Sequence, residues 1–548
     1  MTAADTSLVS QPLEPGDVHR LADGTPLDAQ PGEEARSAAA TDRRRLIISG
    51  LTWGVMFQAL EVVVSFGAML VLVRILSPVD YGRAAATTGV VAMLGIFNAH
   101  LFIGHALQLP DNETPDWSQH WTFAFYIQTT LFAVCHGIAG VCWLIPAYTP
   151  IAKLLHLAAF GILFDAANHL GATMLRRDLR LRRIKIISSV GILVRIAAIV
   201  GLGVAGGRAY AIVLGNNVFA AMPFAIDLFV VRGWRPDSGW WRLPEWRRYR
   251  DALTFGAQRI AGGLMSGGRD AAETAVLPAT LGFTGIGLVN RAQALYATTL
   301  GRMTAVFADT VYPFLPRESR NPQRYAVHAT LYLQVTMLIA IPGAMFVGEE
   351  GRVLSRVLYG MKWIGADPLI WPGALIGLAG AVSTAASGIL LAAGLLRVCV
   401  LIDTVSLASV VPSLALAWAG FGLVVYTWAL ASTQLVLAAV SIAAAARLLQ
   451  RDWLAVAVVP PVVAAAAGGA AAEATSLLLN HQSALVQLVA TAATFGIAAL
   501  VVLRVCFASC VDTLLGRLPA GGRLRRLLLL HGDRTTRAAA VRPEEQHV

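Results

Sequence analysis

The sequence predicts an all-α polytopic membrane protein with about fourteen transmembrane helices. Hydrophobic residues make up 56% of its 548 residues and charged residues only 14%, whereas an ordinary soluble protein carries roughly 25% charged residues. The apolar residues occur in runs of roughly 20, the length of helix that crosses a hydrocarbon core about 30 Å thick. This composition excludes a soluble enzyme, a nucleic-acid-binding protein and a secreted disulfide scaffold.

The chain begins with a polar stretch, residues 1–45, that contains four prolines and no apolar periodicity. We predict a disordered cytoplasmic tail there. Fourteen apolar segments follow, with the approximate spans 46–73, 84–107, 120–147, 151–174, 186–206, 209–231, 253–277, 285–312, 327–348, 368–393, 396–419, 421–446, 453–472 and 483–508.

Arginines are concentrated on one side of the membrane. The loops after segments four, six, eight, twelve and fourteen are rich in arginine, and Arg43–Arg45 precede segment one. Because cationic residues mark the cytoplasmic side, we expect both termini in the cytoplasm. One loop, 108–119, disagrees, since it is acidic and lies on the side predicted to be cytoplasmic.

Two short matches indicate an internal repeat. Leu76–Gly82 (LSPVDYG) matches Leu281–Gly287 (LGFTGIG) 205 positions later, and Ala205-Gly206 matches Ala419-Gly420 214 positions later. Duplicated halves are common in transporters, with the substrate site between them. The alternative is a chance match of glycines and leucines.

The repeat divides the chain into predicted units. We expect two pseudo-repeated six-helix lobes and two C-terminal helices. The predicted boundaries are 46–231 for the first lobe, 232–252 for a Trp- and Arg-rich linker on the cytoplasmic face, 253–446 for the second lobe, 447–508 for the two extra helices, and 509–548 for a basic cytoplasmic tail.

Segments seven and eight are unusually rich in ionisable residues. Such residues inside apolar helices usually face a cavity or a charged partner, because exposure to lipid is costly. Arg291 and Arg302 are eleven positions apart, a spacing that returns both to one helical face. We therefore predict a substrate cavity lined by Arg259, Arg269, Asn290, Arg291, Arg302 and, from segment one, Glu61.

The alternative for these charges is a set of structural ion pairs between helices, such as Arg302 with Asp309 or with Glu61. Asp270 and Asp403 are candidates for an ion-coupling site, because each is a carboxylate within an apolar segment. Further intramembrane charges are Asp165, with His169 one turn later, Arg195 and Asp227.

Several motifs resemble one family. Leu72–Gly82 (LVRILSPVDYG) is similar to the end of the first helix and the following turn in bacterial polysaccharide flippases (O-antigen, Wzx-type), which belong to the MATE-like (MOP) exporter superfamily. The basic loop Met174–Arg183, Ala252–Gly256 and Gly285–Gln293 (GIGLVNRAQ) continue the resemblance, although Val289 replaces a usual tyrosine. Asp270 falls where the family often has an aspartate.

The resemblance implies a transporter of the bacterial inner membrane. It would move polyprenyl-pyrophosphate-linked oligosaccharide from the cytoplasmic to the periplasmic leaflet by alternating access. Membrane lipids would surround it, and a polysaccharide polymerase and glycosyltransferases would be its partners. No covalent chemistry, cofactor, metal ion or nucleic acid is expected, and because no Walker A sequence occurs we expect no ATP hydrolysis.

Two other functions stay open. A multidrug or cation antiporter would share the fold and would favour acidic cavity residues. A membrane glycan polymerase or glycosyltransferase is less favoured, since such enzymes generally need a large external loop or a carboxylate motif. The longest predicted external loop, near 349–367, has about 19 residues.

Overall fold

The structure is a computed structural model that describes residues 57, 61, 63–107, 109, 113–242, 246–301, 303–304, 315–508 and 512. Over these residues the chain is helical and contains no β-strand. Fourteen helices correspond to the fourteen predicted segments: α1 Val63–Ile75, α2 Pro78–Gly95, α3 Trp117–Leu144, α4 Thr149–Arg177, α5 Leu181–Val204, α6 Arg208–Val231, α7 Trp246–Thr280, α8 Gly282–Tyr296, α9 Pro322–Leu358, α10 Ile370–Ala392, α11 Leu396–Trp418, α12 Gly422–Ala445, α13 Leu454–Leu478 and α14 Ala484–Cys506.

These helices confirm the predicted fold class of a multi-pass helical membrane protein. Ten of them are long and apolar enough to cross a membrane, and α1 is a shorter apolar helix within the described residues. The predicted tail 1–45, and 509–548 apart from Asp512, lie outside the described residues.

Among the helices that differ from their predicted spans are α2 and α9. α2 is interrupted after Gly95 and resumes as a short helix, His100–Ile103, followed by a 3₁₀ turn. α9 continues to Leu358, and a 3₁₀ helix, Met361–Leu369, leads into α10. Val353, Leu354, Val357 and Leu358 keep the apolar spacing of a helix, so helical structure outlasts the most hydrophobic stretch. The predicted external loop of 349–367 is thereby reduced to two residues.

The first part of the linker is folded onto the first lobe. Trp234 and Trp240 pack edge-on against Trp121 of α3, with ring centroids 6.1 and 6.0 Å away. Trp241 is 60% exposed. α7 begins at Trp246, so the last residues of the predicted linker belong to that helix.

We keep the predicted halves as names, with α1–α6 as the first lobe and α7–α12 as the second, and one helix in each packs on three others. In the first lobe α4 packs on α2, α3 and α6, and in the second α10 packs on α8, α9 and α12. The lobes meet where α2 packs along α7 and α8. The extra helices α13 and α14 pack on each other and on α9.

The repeat is visible in how α5 and α11 end. Gly206 and Gly420 follow these helices with φ of +84° and +83°, a left-handed conformation that favours glycine. The same long-range bond closes each turn, from the Gly207 N–H to the Leu202 carbonyl at 2.7 Å and from the Phe421 N–H to the Leu416 carbonyl at 3.2 Å. Both ends are Schellman motifs at equivalent positions.

The structure also explains why the two sequence matches have different spacings. The N-caps of α3 and α9, Asp116 and Asn321, are separated by the same 205 positions as the first match, whereas the last residues of these helices, Leu144 and Leu358, are separated by 214. α9 has 37 residues and α3 has 28, a difference of nine. The greater length of α9 therefore accounts for the change in spacing from 205 to 214 positions.

Candidate functional site

A capping box fixes the turn between α1 and α2. The Ser77 hydroxyl oxygen accepts the Asp80 N–H at 3.3 Å, and the Asp80 carboxylate accepts the Ser77 N–H at 3.2 Å and the Ser77 hydroxyl at 2.6 Å. Pro78 occupies the first helical position, where its fixed φ suits the helix and no N–H is needed. The spacing of this turn places Gly82 one turn into α2, against α8.

The glycines that end the two repeated motifs lie at the contact between the lobes. A Cβ on Gly82 would lie 1.7 Å from the Phe283 carbonyl oxygen, and one on Gly287 would lie 1.9 Å from the Pro78 carbonyl oxygen. Phe283 is 205 positions after Pro78, as Gly287 is after Gly82. The contact is therefore reciprocal, and only glycine permits this approach of the two backbones.

Hydrogen bonds join the end of α1 to the second lobe, at the same end of the bundle as the glycine contact. The Arg74 guanidinium donates to the carbonyls of Val357 and Leu358 at the end of α9, the latter at 3.2 Å. The buried indole of Trp363 donates to the Val73 carbonyl at 3.0 Å, and Lys362 donates to the Arg74 carbonyl at 3.1 Å. We call these contacts, with Gly82 and Gly287, the closed end.

Arg291 of α8 extends the closed end towards the interior. Its guanidinium lies over the Tyr81 ring, 4.5 Å from the centroid, a cation–π arrangement. It also donates to the Asn290 side-chain oxygen at 2.7 Å, and the Tyr359 hydroxyl donates to its carbonyl at 3.4 Å. Tyr81 in turn packs edge-on against Trp363 at 5.3 Å. The Tyr81 ring of the first lobe, itself packed on Trp363 of the second, thus orients the Arg291 guanidinium.

A cavity of about 320 Å³ lies beside the closed end, between α1, α2, α5, α6 and α8. Its wall includes two arginines, Arg195 of the first lobe and Arg291 of the second. The other polar lining residues are Ser65, Tyr81, Thr88, Asn216 and Asn290. The Ser65 and Thr88 hydroxyls are buried and have no hydrogen-bond partner among the described residues. We call this the arginine cavity.

A second cavity, of about 280 Å³, adjoins the first and carries the opposite charge. It lies between α2, α7 and α8, and Asn290 borders both cavities. Asp270 and Glu273 line it. Glu273 accepts from Arg269 at 3.2 Å one turn away, whereas Asp270 makes no ion pair within the described part of the chain. We call this the acidic cavity.

A third cavity, of about 310 Å³, belongs to the second lobe alone. Tyr296, Thr304, Tyr332, Thr336 and Thr384 contribute hydroxyl groups to its wall, and no charged residue lines it among those described. Hydroxyl groups can bind sugars or water, but they give no charge selectivity.

The structure brings together some of the predicted site residues. Asn290 and Arg291 line the arginine cavity, and Asn290 and Asp270 line the acidic cavity. Arg269 forms an ion pair with Glu273, which also lines the acidic cavity. Arg302 and the Arg259 side chain lie outside the described residues, as does Asp309. Glu61 and Asp403 are half-buried, and neither lines any of these three cavities.

The predicted site set lacked five polar or charged residues of the arginine cavity: Arg195, Ser65, Tyr81, Thr88 and Asn216. Arg195 carried a signal, because it is the only charged residue between Lys185 and Arg208. Asn216 and Thr88 carried no sequence signal that distinguishes a residue lining a cavity from one packed between helices.

Chemically, the arginine cavity suits an anion. Arginine forms strong, often bidentate bonds with phosphate and carboxylate groups, and the neighbouring amides and hydroxyls suit the hydroxyl groups of a sugar. The described residues contain no group of three or more His, Cys, Asp or Glu side chains that could hold a metal ion.

The fold is similar to those of known exporters. A structure of "Lipid II flippase MurJ" in an inward closed conformation superposes with a TM-score of 0.67 at 11% sequence identity, covering 83% of this chain and 99% of that chain. An inward-facing multidrug resistance MATE family transporter of the MOP superfamily gives a TM-score of 0.50 at 12% identity, covering 70% of this chain and 94% of that chain. No curated protein sequence matches the chain significantly.

A family model described as "Polysaccharide biosynthesis protein" matches residues 71–368, which is more than half of the chain. The match includes both repeated motifs, the closed end and the lining residues of the arginine cavity on α2, α5, α6 and α8. Together with the exporter fold, it confirms the family that the motifs indicated: the chain belongs to the polysaccharide biosynthesis protein family.

Proposed function

We propose that this protein flips polyprenyl-pyrophosphate-linked oligosaccharides from the cytoplasmic to the periplasmic leaflet by alternating access. The observation that carries the proposal is the arginine cavity, to which each lobe contributes one arginine. The pyrophosphate and the glycan cannot cross hydrocarbon unaided, because their polar groups would lose their hydration without replacement. A polar, cationic cavity between two lobes supplies that replacement.

The closed end supports an alternating mechanism. It seals the bundle with contacts between lobes: the reciprocal glycine contact, the Arg74 bonds and the Trp363 bond. Each of these can break without disrupting either lobe, since the partners belong to different lobes. Rocking of duplicated halves about a central site is the usual means of alternating access. The similar fold of a lipid II flippase supports a lipid-linked substrate.

Within this mechanism we assign binding of the pyrophosphate to Arg291 and Arg195, with Asn290 beside them. Arg259, Arg269 and Arg302, with Glu61, remain proposed contacts along the path of the glycan. Arg269 is the least available of the group, because its guanidinium is bound to Glu273. Asp270 and Asp403 remain proposed ion-coupling residues. The protein performs no covalent chemistry in this scheme.

The test is reconstitution with lipid-linked oligosaccharide in liposomes, scoring movement between leaflets. Arg291→Ala and Arg195→Ala should each reduce the rate at least about 10-fold, the equivalent of one lost charge-assisted bond. Arg→Lys should rescue only in part, since lysine cannot bind phosphate bidentately. Arg397→Ala is the matched control. Arg397 is an exposed arginine on α11, another apolar helix, and it lines none of the three cavities.

Normal flipping by a folded Arg291→Ala, Arg195→Ala double variant would exclude this assignment. Loss of flipping that is restored by neutralising an acidic neighbour of either arginine would make that arginine structural instead.

The acidic cavity supports a second candidate, a cation antiporter. Asp270 faces it without an ion-pair partner among the described residues, and such a carboxylate suits a cationic drug. The MATE transporter with a similar fold is consistent with this function. Uptake of a fluorescent cation that requires Asp270, in liposomes that show no flipping of lipid-linked glycan, would favour the antiporter.

We further propose that the protein lies in the bacterial inner membrane with both termini in the cytoplasm, which places the closed end on the periplasmic side. Reporter fusions after Arg183 and at the C-terminus should report cytoplasm, and a periplasmic signal at the C-terminus would contradict this topology. Its partners would be the glycosyltransferases that build the glycan and the polymerase that receives it.

A further inference from the structure

The interruption of α2 brings together buried polar groups of three helices, away from the cavities described above. The interrupted stretch, residues 96–99, contains Asn98, which is 7% exposed. Its side-chain oxygen accepts the His100 N–H at 3.1 Å and the Gln128 side-chain N–H at 2.8 Å, and its amide nitrogen donates to the Asp165 carboxylate at 3.3 Å. Broken helices in transporters commonly mark ion sites.

Asp165 lies near the middle of a membrane-spanning helix. It is sixteen residues after the first residue of α4, Thr149, and twelve before the last, Arg177. No lysine or arginine forms an ion pair with it among the described residues. A buried carboxylate that keeps its charge without a cation is costly, whereas binding a proton removes the charge.

Gln128 gives an independent indication that something is bound here. It is 1% exposed, and its side-chain oxygen is buried without a hydrogen-bond partner in the described part of the chain. Leaving such an acceptor unpaired costs about 1–3 kcal/mol. An additional proton in the network, on a carboxyl group or on a bridging water, would satisfy it.

The ionisable groups around Asp165 are few. His169 lies one turn further along α4, and its ring is 4.9 Å from that of His100 across the interruption of α2. The other ionisable groups on the packed elements lie towards the helix ends or on other faces. On α4 itself they are Lys153 and His156 before Asp165 and Arg176 and Arg177 at the end of the helix. On the neighbouring elements they are His120 and His136 on α3, Asp80 and Arg83 at the start of α2, His105 after the interruption of α2, Arg183 and Arg195 on α5, and Asp227 and Arg232 at the end of α6.

We propose that Asp165, held by Asn98 beside Gln128, forms a proton-binding site at the interruption of α2. The described residues favour a proton over a metal cation. A hard metal cation needs about six oxygen ligands, whereas here an amide N–H points at the carboxylate and no cluster of three acidic or histidine ligands exists among the residues described. The His100–His169 pair offers a route for the proton to reach Asp165.

The site is mechanically connected to the contact between the lobes. Asn98 accepts the first N–H of the short helix His100–Ile103, which carries Phe102. The Phe102 ring packs on Gly256 of α7, where a Cβ would lie 2.2 Å from the ring. Protonation of Asp165 weakens its pull on Asn98 and so alters the support of a helix that contacts the other lobe. This link does not depend on which substrate is carried.

The test is infrared difference spectroscopy of the full-length protein in lipid nanodiscs without substrate, titrated from about pH 5 to about pH 9. We expect a carboxylic acid band that titrates and disappears in Asp165→Asn. Asp178→Asn, at the exposed end of the same helix, is the control and should keep the band. Bands from Asp270 or Asp403 would survive Asp165→Asn and so be distinguished.

An Asp165→Asn spectrum equal to that of the wild type would overturn the site. So would Asp165-dependent binding of radioactive sodium at constant pH. If Asp165→Asn does not fold, Asn98→Ala keeps the carboxylate and should move the midpoint of the band by about half a pH unit or more, and an unmoved midpoint would contradict the proposal. The infrared titration uses no substrate, so a negative result there leaves the flipping proposal intact. A negative result in the flipping assay likewise leaves the proton-binding site intact.

Discussion

Gly82 of the first lobe and Gly287 of the second occupy equivalent positions and face each other across the closed end, each against the backbone of the other's helix. The two helix starts are therefore related by a local pseudo-two-fold axis that passes between these glycines. A symmetric contact of this kind separates as a unit when the lobes part, because every interaction on one side has its equivalent on the other.

Gly287→Ala should prevent the closed end from forming. Its Cβ would lie 1.9 Å from the Pro78 carbonyl oxygen, and backbone atoms cannot move aside as a flexible side chain can. Gly95→Ala on α2 is the control, because nothing lies within 4 Å of its Cβ position. A cysteine at the buried Ala366, in a background without the native cysteines, should react with an impermeant maleimide only in the Gly287→Ala protein. Equal protection in both variants would show that Gly287 is not needed for closure.

Arg74→Ala should weaken closure without unfolding either lobe. The guanidinium bonds to two carbonyls at the end of α9 that have no partner within that helix. Because Arg74 is exposed, we expect a loss of only about 1 kcal/mol, seen as several-fold faster labelling at the same cysteine. Arg352→Ala, an exposed arginine on the same part of α9, should leave the labelling rate unchanged. Faster labelling in Arg352→Ala than in Arg74→Ala would refute this role.

Asp227→Asn should lower the stability of the first lobe. This buried carboxylate binds Arg183 at 2.7 Å and forms an ion pair with Arg232 at 2.9 Å, although the latter is not aligned as a hydrogen bond. Losing the charge leaves two arginines uncompensated, which costs about 3 kcal/mol for a buried pair. Thermal unfolding in detergent measures the effect, with the exposed Asp237→Asn as control. An unchanged melting temperature for Asp227→Asn would mean that the two arginines find other partners.

Asp270→Asn should weaken the effect of an ion gradient on transport while the protein remains folded. Asp270 faces the acidic cavity without an ion-pair partner among the described residues, so its charge is available to an ion. Glu273→Gln differs, because it leaves Arg269 without its counter-charge and should also lower stability. If flipping by the Asp270→Asn protein responds to proton and sodium gradients as strongly as flipping by the wild type, Asp270 takes no part in coupling, and Asp165 and Asp403 remain as candidates.

The number and order of the helices were predictable because hydropathy and loop arginines report them directly. The turn at Ser77 and Pro78 was predictable as well, since its capping residues are local in sequence. The reciprocal contact of Gly82 with Gly287 was not, because the register of one lobe against the other is set by packing over a separation of 205 residues. The pairing of Arg195 with Arg291 across one cavity depends on the same packing.

The interruption of α2 shows another limit of the sequence. Ile96, Phe97 and Ala99 are as apolar as the helix around them, so hydropathy continues while the helix does not. Only Asn98 indicates the change, and its partners Gln128 and Asp165 belong to segments thirty or more residues away. Hydrogen-bond satisfaction, which sequence periodicity does not measure, decides the conformation there.

The nine additional residues of α9 change where the closed end operates. At 1.5 Å per residue, the 37 residues of α9 span about 55 Å, whereas a bilayer with its headgroups is about 40–45 Å thick. Because α9 and α3 begin at equivalent residues, the excess of roughly 10 Å emerges at Leu358, the helix end that Arg74 binds. We therefore expect this part of the closed end to extend beyond the headgroups, within reach of a soluble antibody fragment. Under the proposed alternating mechanism, we expect a binder that clasps Leu358 to Arg74 to stop flipping from outside the membrane, without entering a cavity or competing with the substrate.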